Sequence, residues 1–117
     1  MLNVYGIKNC NTVKKALDWL NNNDIEFTFH DYKKEPAQDA KLITWQNLTP
    51  WETLINKKGT TWKKLTPEQQ AAVIDEKSAR EVLLNNNSII KRPIIELNNE
   101  IILGFDEETY KQKLSNL

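Results

Sequence analysis

Apolar residues along this chain keep three different spacings, and each spacing predicts a kind of element. Leu2 to Ile7 reads as a short opening strand. From Val13 the period changes: Val13, Ala16, Leu17 and Leu20 recur at i, i+3, i+4 and i+7. That spacing gathers them on one buried helical face, with Lys14, Lys15 and Asp18 on the other. The run Asn21-Asn22-Asn23-Asp24 should end this helix, because asparagine readily takes the left-handed conformation. Ile25, Phe27 and Phe29 then alternate with Glu26, Thr28 and His30, as in a half-buried strand. Strand, helix and strand in succession imply a right-handed crossover and parallel pairing.

The middle of the chain predicts several short helices. Pro36 suits the first turn of a helix carrying Leu42 and Trp45. Thr49-Pro50-Trp51-Glu52, Thr66-Pro67-Glu68-Gln69 and Ser78-Ala79-Arg80-Glu81 each have the form of a capping box. Towards the end the spacing changes again. Pro93–Leu97 and Ile101–Phe105 are apolar runs joined by Asn98-Asn99-Glu100, which predicts a tight hairpin. Asp106-Glu107-Glu108 opens a last helix with Tyr110 and Leu114. The whole reads βαβ, helices, ββα, an α/β pattern, without repeat or linker, and is expected to be one domain over 1–117.

Charge and composition narrow the function classes. Sixteen basic and sixteen acidic residues cancel, which gives no support for a nucleic-acid or membrane partner. No apolar stretch nears the roughly 20 residues that span a bilayer. The start carries no basic, apolar export signal. A single cysteine excludes an internal disulfide and fits a reducing compartment, so a cytoplasmic protein is expected. One cysteine and one histidine also suggest no metal cluster.

That cysteine, Cys10, sits between the first strand and the first helix. A thiol reacts as its thiolate, and a helix N-terminus lowers thiol pKa through unpaired amides and the helix dipole. Lys8, Lys14 and Lys15 could add positive potential, while Asn9, Asn11 and Thr12 could donate to an anionic sulfur or a bound oxyanion. A lone cysteine is commonly a buried core residue, but the polar neighbours Asn9 and Asn11 favour an accessible thiol. Position 13 is Val13, so no Cys-x-x-Cys pair exists.

Two other segments are candidates. Arg92 is one of only two arginines among fourteen lysines, and it precedes Pro93 at a strand entry. An X–Pro bond there can be cis, and arginine offers a forked, permanently charged donor. In Lys57-Lys58-Gly59-Thr60-Thr61-Trp62-Lys63-Lys64, Gly59 permits a tight bend, and Lys58 and Thr61 could line an anion site. The same segment is equally well a solvated loop. His30 reads as exposed or hydrogen-bonded, and Trp45, Trp51 and Trp62 as core or rim.

Together these motifs resemble the arsenate reductase (ArsC)/Spx-like family, in particular its small YffB-like subgroup. The matching stretches are Val4-Tyr5-Gly6-Ile7-Lys8-Asn9-Cys10-Asn11-Thr12-Val13-Lys14-Lys15-Ala16, Phe29-His30-Asp31-Tyr32, Gly59-Thr60-Thr61-Trp62-Lys63-Lys64-Leu65, Ile89-Ile90-Lys91-Arg92-Pro93-Ile94 and Leu103-Gly104-Phe105. The resemblance implies a thioredoxin-like fold with a helical insertion between its halves. It implies a nucleophilic Cys10, an anion- or glutathione-binding Arg92 and a cis Pro93. It also implies glutathione as co-substrate, a small thiol or oxyanion substrate and glutaredoxin as a possible partner. A monomer with no bound cofactor is expected. The family's arsenate reductases surround the cysteine with three arginines and a preceding histidine. Here only Arg92 has a counterpart, and Gly6 stands near the histidine's place. The expected activity is thus a glutathione-dependent thiol reductase, with arsenate reduction proper and an Spx-like RNA-polymerase-binding regulator as alternatives.

Overall fold

A computed structural model describes residues 2–115. Its elements are β1 (Leu2–Gly6), α1 (Asn11–Asn22), β2 (Phe27–Asp31), α2 (Asp39–Gln46), a 3-10 turn (Trp51–Leu54), α3 (Thr60–Lys63), α4 (Pro67–Ala71), α5 (Glu76–Asn85), a second 3-10 turn (Asn87–Ile89), β3 (Ile94–Leu97), β4 (Glu100–Leu103) and α6 (Glu107–Leu114). They form two compact units. One comprises the residues up to Lys34 together with those from Arg92 onward; the other is Glu35–Lys91.

The first unit is a four-stranded sheet in the order β2-β1-β3-β4. β1 pairs with β2 in parallel, while β3 is antiparallel to both β1 and β4. This is the βαβ…ββα arrangement of a thioredoxin-like fold, with the second unit inserted between its halves. Leu2 and Val4 of β1, Ile95 and Leu97 of β3 and Ile102 of β4 face a core completed by Ala16, Trp19 and Leu20 of α1 and Tyr110 and Leu114 of α6. Burying each large apolar side chain contributes about 1.5–3 kcal/mol. Tyr110 presents its ring edge-on to Trp19, and its hydroxyl donates to the Gly104 carbonyl at 2.6 Å, so its polar end is satisfied. On the opposite sheet face, Tyr5 stacks on His30 at 4.5 Å and donates to Glu96 Oε1 at 3.2 Å. His30 Nε2 lies 2.9 Å from Asn3 Oδ1.

The second unit is helical. Leu42, Trp45, Leu54, Ala79, Leu83, Ile89 and Ile90 are fully buried in it. Its buried amide, Gln46, donates to the Glu76 carbonyl and accepts from Arg80, which also pairs with Asp39 at 3.2 Å. Burial of that polar side chain is therefore compensated.

Several sequence expectations need correcting. The opening strand ends at Gly6, and α1 buries Trp19, whereas Leu17 is only partly covered. The left-handed residue after α1 is Asp24 (φ 55°), not an asparagine. Pro36 lies ahead of α2, whose N-cap is Gln38. Thr49 caps nothing; its hydroxyl meets that of Thr53 at 3.0 Å. Ser78 is the third residue of α5 in a box whose cap is Asp75, one turn earlier than the Ser78–Glu81 pattern suggests. The Thr66–Gln69 box forms as expected. The hairpin turns on Asn98 and Asn99 alone, with Asn98 left-handed (φ 38°) and Glu100 already in β4.

Candidate functional site

The sheet order explains how Cys10 and Arg92 meet, although they lie at opposite ends of the sequence. β1 runs towards the Cys10 loop, and β3 begins beside the end of β1, with Ile94 opposite Tyr5. Two residues before Ile94, Arg92 therefore projects past the end of β1. Its Cβ lies 3.8 Å from where a side chain on Gly6 would begin. The Arg92–Pro93 peptide is cis, and the Pro93 carbonyl accepts from the Gly104 amide at 2.8 Å.

Cys10 is the N-cap of α1, with extended backbone (φ −121°, ψ 124°) and a carbonyl that accepts from the Lys14 amide at 2.9 Å. It is partly exposed, and the first turn holds no acidic residue. Partial burial pushes the thiol pKa up. The Val13 amide, the Arg92 side chain, the Thr12 amide and the Arg92 charge pull it down, and the balance lies below the ordinary value. The α1 dipole acts in the same direction. No strict cap hydrogen bond is formed by the side chain; the donors converge on the place where a thiolate charge would sit.

The other expected site residues fall in both units. Lys8 and Asn9 are exposed in the turn before Cys10, Asn11 and Thr12 are exposed at the start of α1, and Pro93 is buried. Of these, Thr12 addresses the sulfur, through its backbone amide. Lys58 and Thr61 belong to the helical unit. The Lys58 amide donates to Asn56 Oδ1, and the Thr61 hydroxyl accepts from Ser88 at 2.8 Å. Gly59 caps the four-residue α3 with an ordinary φ of −77°, so no glycine-only bend occurs there. Lys57 lies over the Trp62 ring at 5.5 Å. Trp45 and Trp62 are buried and Trp51 is partly so.

One contributor is not named by the sequence: unpaired amides at the helix start are expected beside Cys10 in general, but that Val13 supplies one follows from where α1 begins. Among the described residues, no cluster of three potential metal ligands occurs, and no helix is long and apolar enough to cross a membrane.

Comparison with known proteins adds kinship to this geometry. The family model described as ArsC family matches residues 5–113. An uncharacterized protein of Haemophilus influenzae is 42% identical over 111 residues, covering 95% of this chain and 96% of that protein. A solved YffB protein superimposes with a TM-score of 0.92 at 38% identity, covering 97% of this chain and 99% of its own. The global transcriptional regulator Spx of Streptococcus mutans is 27% identical over 113 residues, covering 92% of this chain and 79% of that protein.

Proposed function

Because the chain belongs to the ArsC family, we propose that it is a glutathione-dependent thiol reductase, with Cys10 as nucleophile and Arg92 as the charged group beside it. The observation that carries this reading is a partly exposed thiol at the N-cap of α1, with Arg92 brought beside the end of β1 by the sheet register, an arrangement whose amides and charge favour the thiolate. A purely structural cysteine has no use for three donors to its anionic form.

The proposed reaction is thiol–disulfide exchange. The Cys10 thiolate attacks the glutathione sulfur of a mixed disulfide, forming a Cys10–glutathione bond and expelling the other sulfur as a thiolate that takes a proton. A second glutathione thiolate then attacks the glutathione sulfur of that bond. It leaves as oxidised glutathione, and Cys10 returns as thiolate. The chain's single cysteine is enough, since the second thiol comes from the co-substrate. Arg92 would hold negative charge on the incoming group next to the sulfur.

The kinship with Spx regulators is weaker in identity, and no feature of the Cys10 site favours it over exchange chemistry. Arsenate reduction is the lesser reading because the other arginine, Arg80, is engaged by Asp39 and Gln46. The test is turnover of a glutathionylated peptide with glutathione, coupled to glutathione reductase. Wild-type protein should show turnover and Cys10→Ser should show none. Equal rates in the two, or none in the wild type, would overturn the proposal.

A further inference from the structure

β4 ends at Leu103, which pairs with Ile94 of β3. One step further along the same register, the Gly104 amide donates to the Pro93 carbonyl at 2.8 Å. That bond fastens the backbone immediately after Arg92, where β3 begins. Gly104 itself is left-handed, with φ 76°. Its carbonyl, on the peptide plane that follows, accepts from the Tyr110 hydroxyl of α6 at 2.6 Å. The two peptide planes that meet at Gly104 are thus each held by a hydrogen bond, the first to Pro93 and the second to Tyr110.

Glycine has no Cβ to restrict its dihedral angles, so outside contacts must set them. Here the second contact is firmly braced. Tyr110 has no solvent exposure, and its ring meets those of Trp19 at 5.4 Å and Phe105 at 4.9 Å, edge-on in both cases. Trp19 belongs to α1, the helix whose N-cap position is Cys10. Burial pushes the Tyr110 phenol well above its ordinary pKa, so the hydroxyl keeps its proton throughout the range in which a thiol titrates. Phenylalanine could fill the same space between Trp19 and Phe105; what the hydroxyl adds is the bond to Gly104.

We propose that Tyr110 is a positioning residue for Arg92: through Gly104 and Pro93, its hydroxyl holds the guanidinium where it stabilises the Cys10 thiolate. The inference rests on the reading of Arg92 as the charged partner of Cys10, and extends that partnership to a side chain of α6. A charge-assisted hydrogen bond is strong but directional, and it weakens steeply once donor and acceptor are misaligned. A small loosening one residue away from Arg92 is therefore enough to be felt at the sulfur.

The test is the pH midpoint of Cys10 alkylation by iodoacetamide, a neutral reagent, in wild type, Tyr110→Phe, Arg92→Ala and the double variant. In Tyr110→Phe the midpoint should rise, by less than it rises in Arg92→Ala. In the Arg92→Ala background the same substitution should move it no further. An unchanged midpoint in Tyr110→Phe overturns the inference, makes the hydroxyl purely structural and leaves the reductase reading standing. A rise that persists in the Arg92→Ala background also overturns it, because the effect then bypasses Arg92. An Arg92→Ala midpoint equal to that of wild type overturns the partnership of Arg92 with Cys10, and this inference with it. A second measurement keeps the Tyr110 side chain intact. Coupling between two sites is reciprocal, so the Gly104 amide resonance of wild-type protein should move with the Cys10 titration, and that movement should vanish in Arg92→Ala. A Gly104 resonance that stays still, or that moves equally without Arg92, overturns the inference.

Discussion

A thiol at a helix N-cap position with a guanidinium beside it has a different pH dependence from a free one, and the sign follows from the donors. All of them favour the thiolate, and together they outweigh the burial that opposes it. The folded-state pKa is therefore depressed. The associated stability is fully present above the unfolded value of about 8.5 and is lost as pH falls through the folded value. Two consequences can be measured at this one residue. The midpoint of iodoacetamide alkylation against pH should lie below that of a free thiol, and in Arg92→Ala it should move up towards it. Arg92→Lys should recover part of the shift, because charge survives and the fork does not. An unchanged midpoint in Arg92→Ala would remove Arg92 from the site. Much of this residue-level chemistry was legible beforehand: one cysteine, polar neighbours and a helix start suffice to suggest an activated thiol. The meeting of Cys10 with Arg92 was not legible from spacing, because it depends on β3 pairing antiparallel to β1; it came from family resemblance. Lys58 and Thr61 looked equally suitable by residue type, but polar type does not reveal where a side chain is already committed, as Thr61 is to Ser88.

At the scale of elements, the seating of α1 on β1 depends on a missing side chain. A Cβ on Gly6 would stand 2.9 Å from Val13 Cγ2, and Val13 is fully buried in the first turn of α1. That side chain cannot swing away, so the turn carrying Cys10 would have to shift. Gly6→Ala should destabilise the protein by about 1–3 kcal/mol, the usual cost of overpacking, read from denaturant midpoints. It should also weaken the pKa depression of Cys10, since the Val13 and Thr12 amides move with the turn. Gly6→Ala combined with Val13→Ala should recover part of both effects, and a purely additive double variant would refute steric coupling. Element boundaries are unevenly legible in the sequence, for physical reasons. The Thr66 box is legible because hydroxyl, proline and glutamine all agree. The Ser78 signal misled because Asp75, three residues earlier, is a better cap and takes Ser78 as its third residue. Trp19 and Leu20 stand at i+3 and i+4 from Ala16, so the buried face runs Val13, Ala16, Trp19, Leu20, and a pattern counted from Val13 alone takes in Leu17 at its edge instead.

At the scale of the whole molecule, the order of elements was legible and the division into two units was not. Local period changes mark strands and helices, but the junctions at Lys34–Glu35 and Lys91–Arg92 are ordinary polar sequence with no linker composition. The two units differ in how they are held together. In the sheet unit, β1 and β3 are interior strands, bonded on both edges, and Val4, Ile94 and Ile95 have no exposure. In the helical unit, α4 buries no residue and α3 buries only Trp62. Local opening is easiest where few apolar contacts cover the backbone hydrogen bonds. Hydrogen exchange should therefore be slowest for the amides of β1 and β3, close to the global unfolding limit, and faster by orders of magnitude across α3 and α4. The amides of Val13 and Thr12 need separate attention, because they lie in the first turn of α1 and have no partner four residues earlier. If they hold the Cys10 thiolate, their exchange should slow as pH rises through the thiol's titration, relative to the intrinsic rate, and this extra protection should vanish in Cys10→Ser. Uniform protection across α3, α4 and the interior strands would mean that the chain opens as one cooperative body, and the contrast in packing between the units would then have no energetic counterpart.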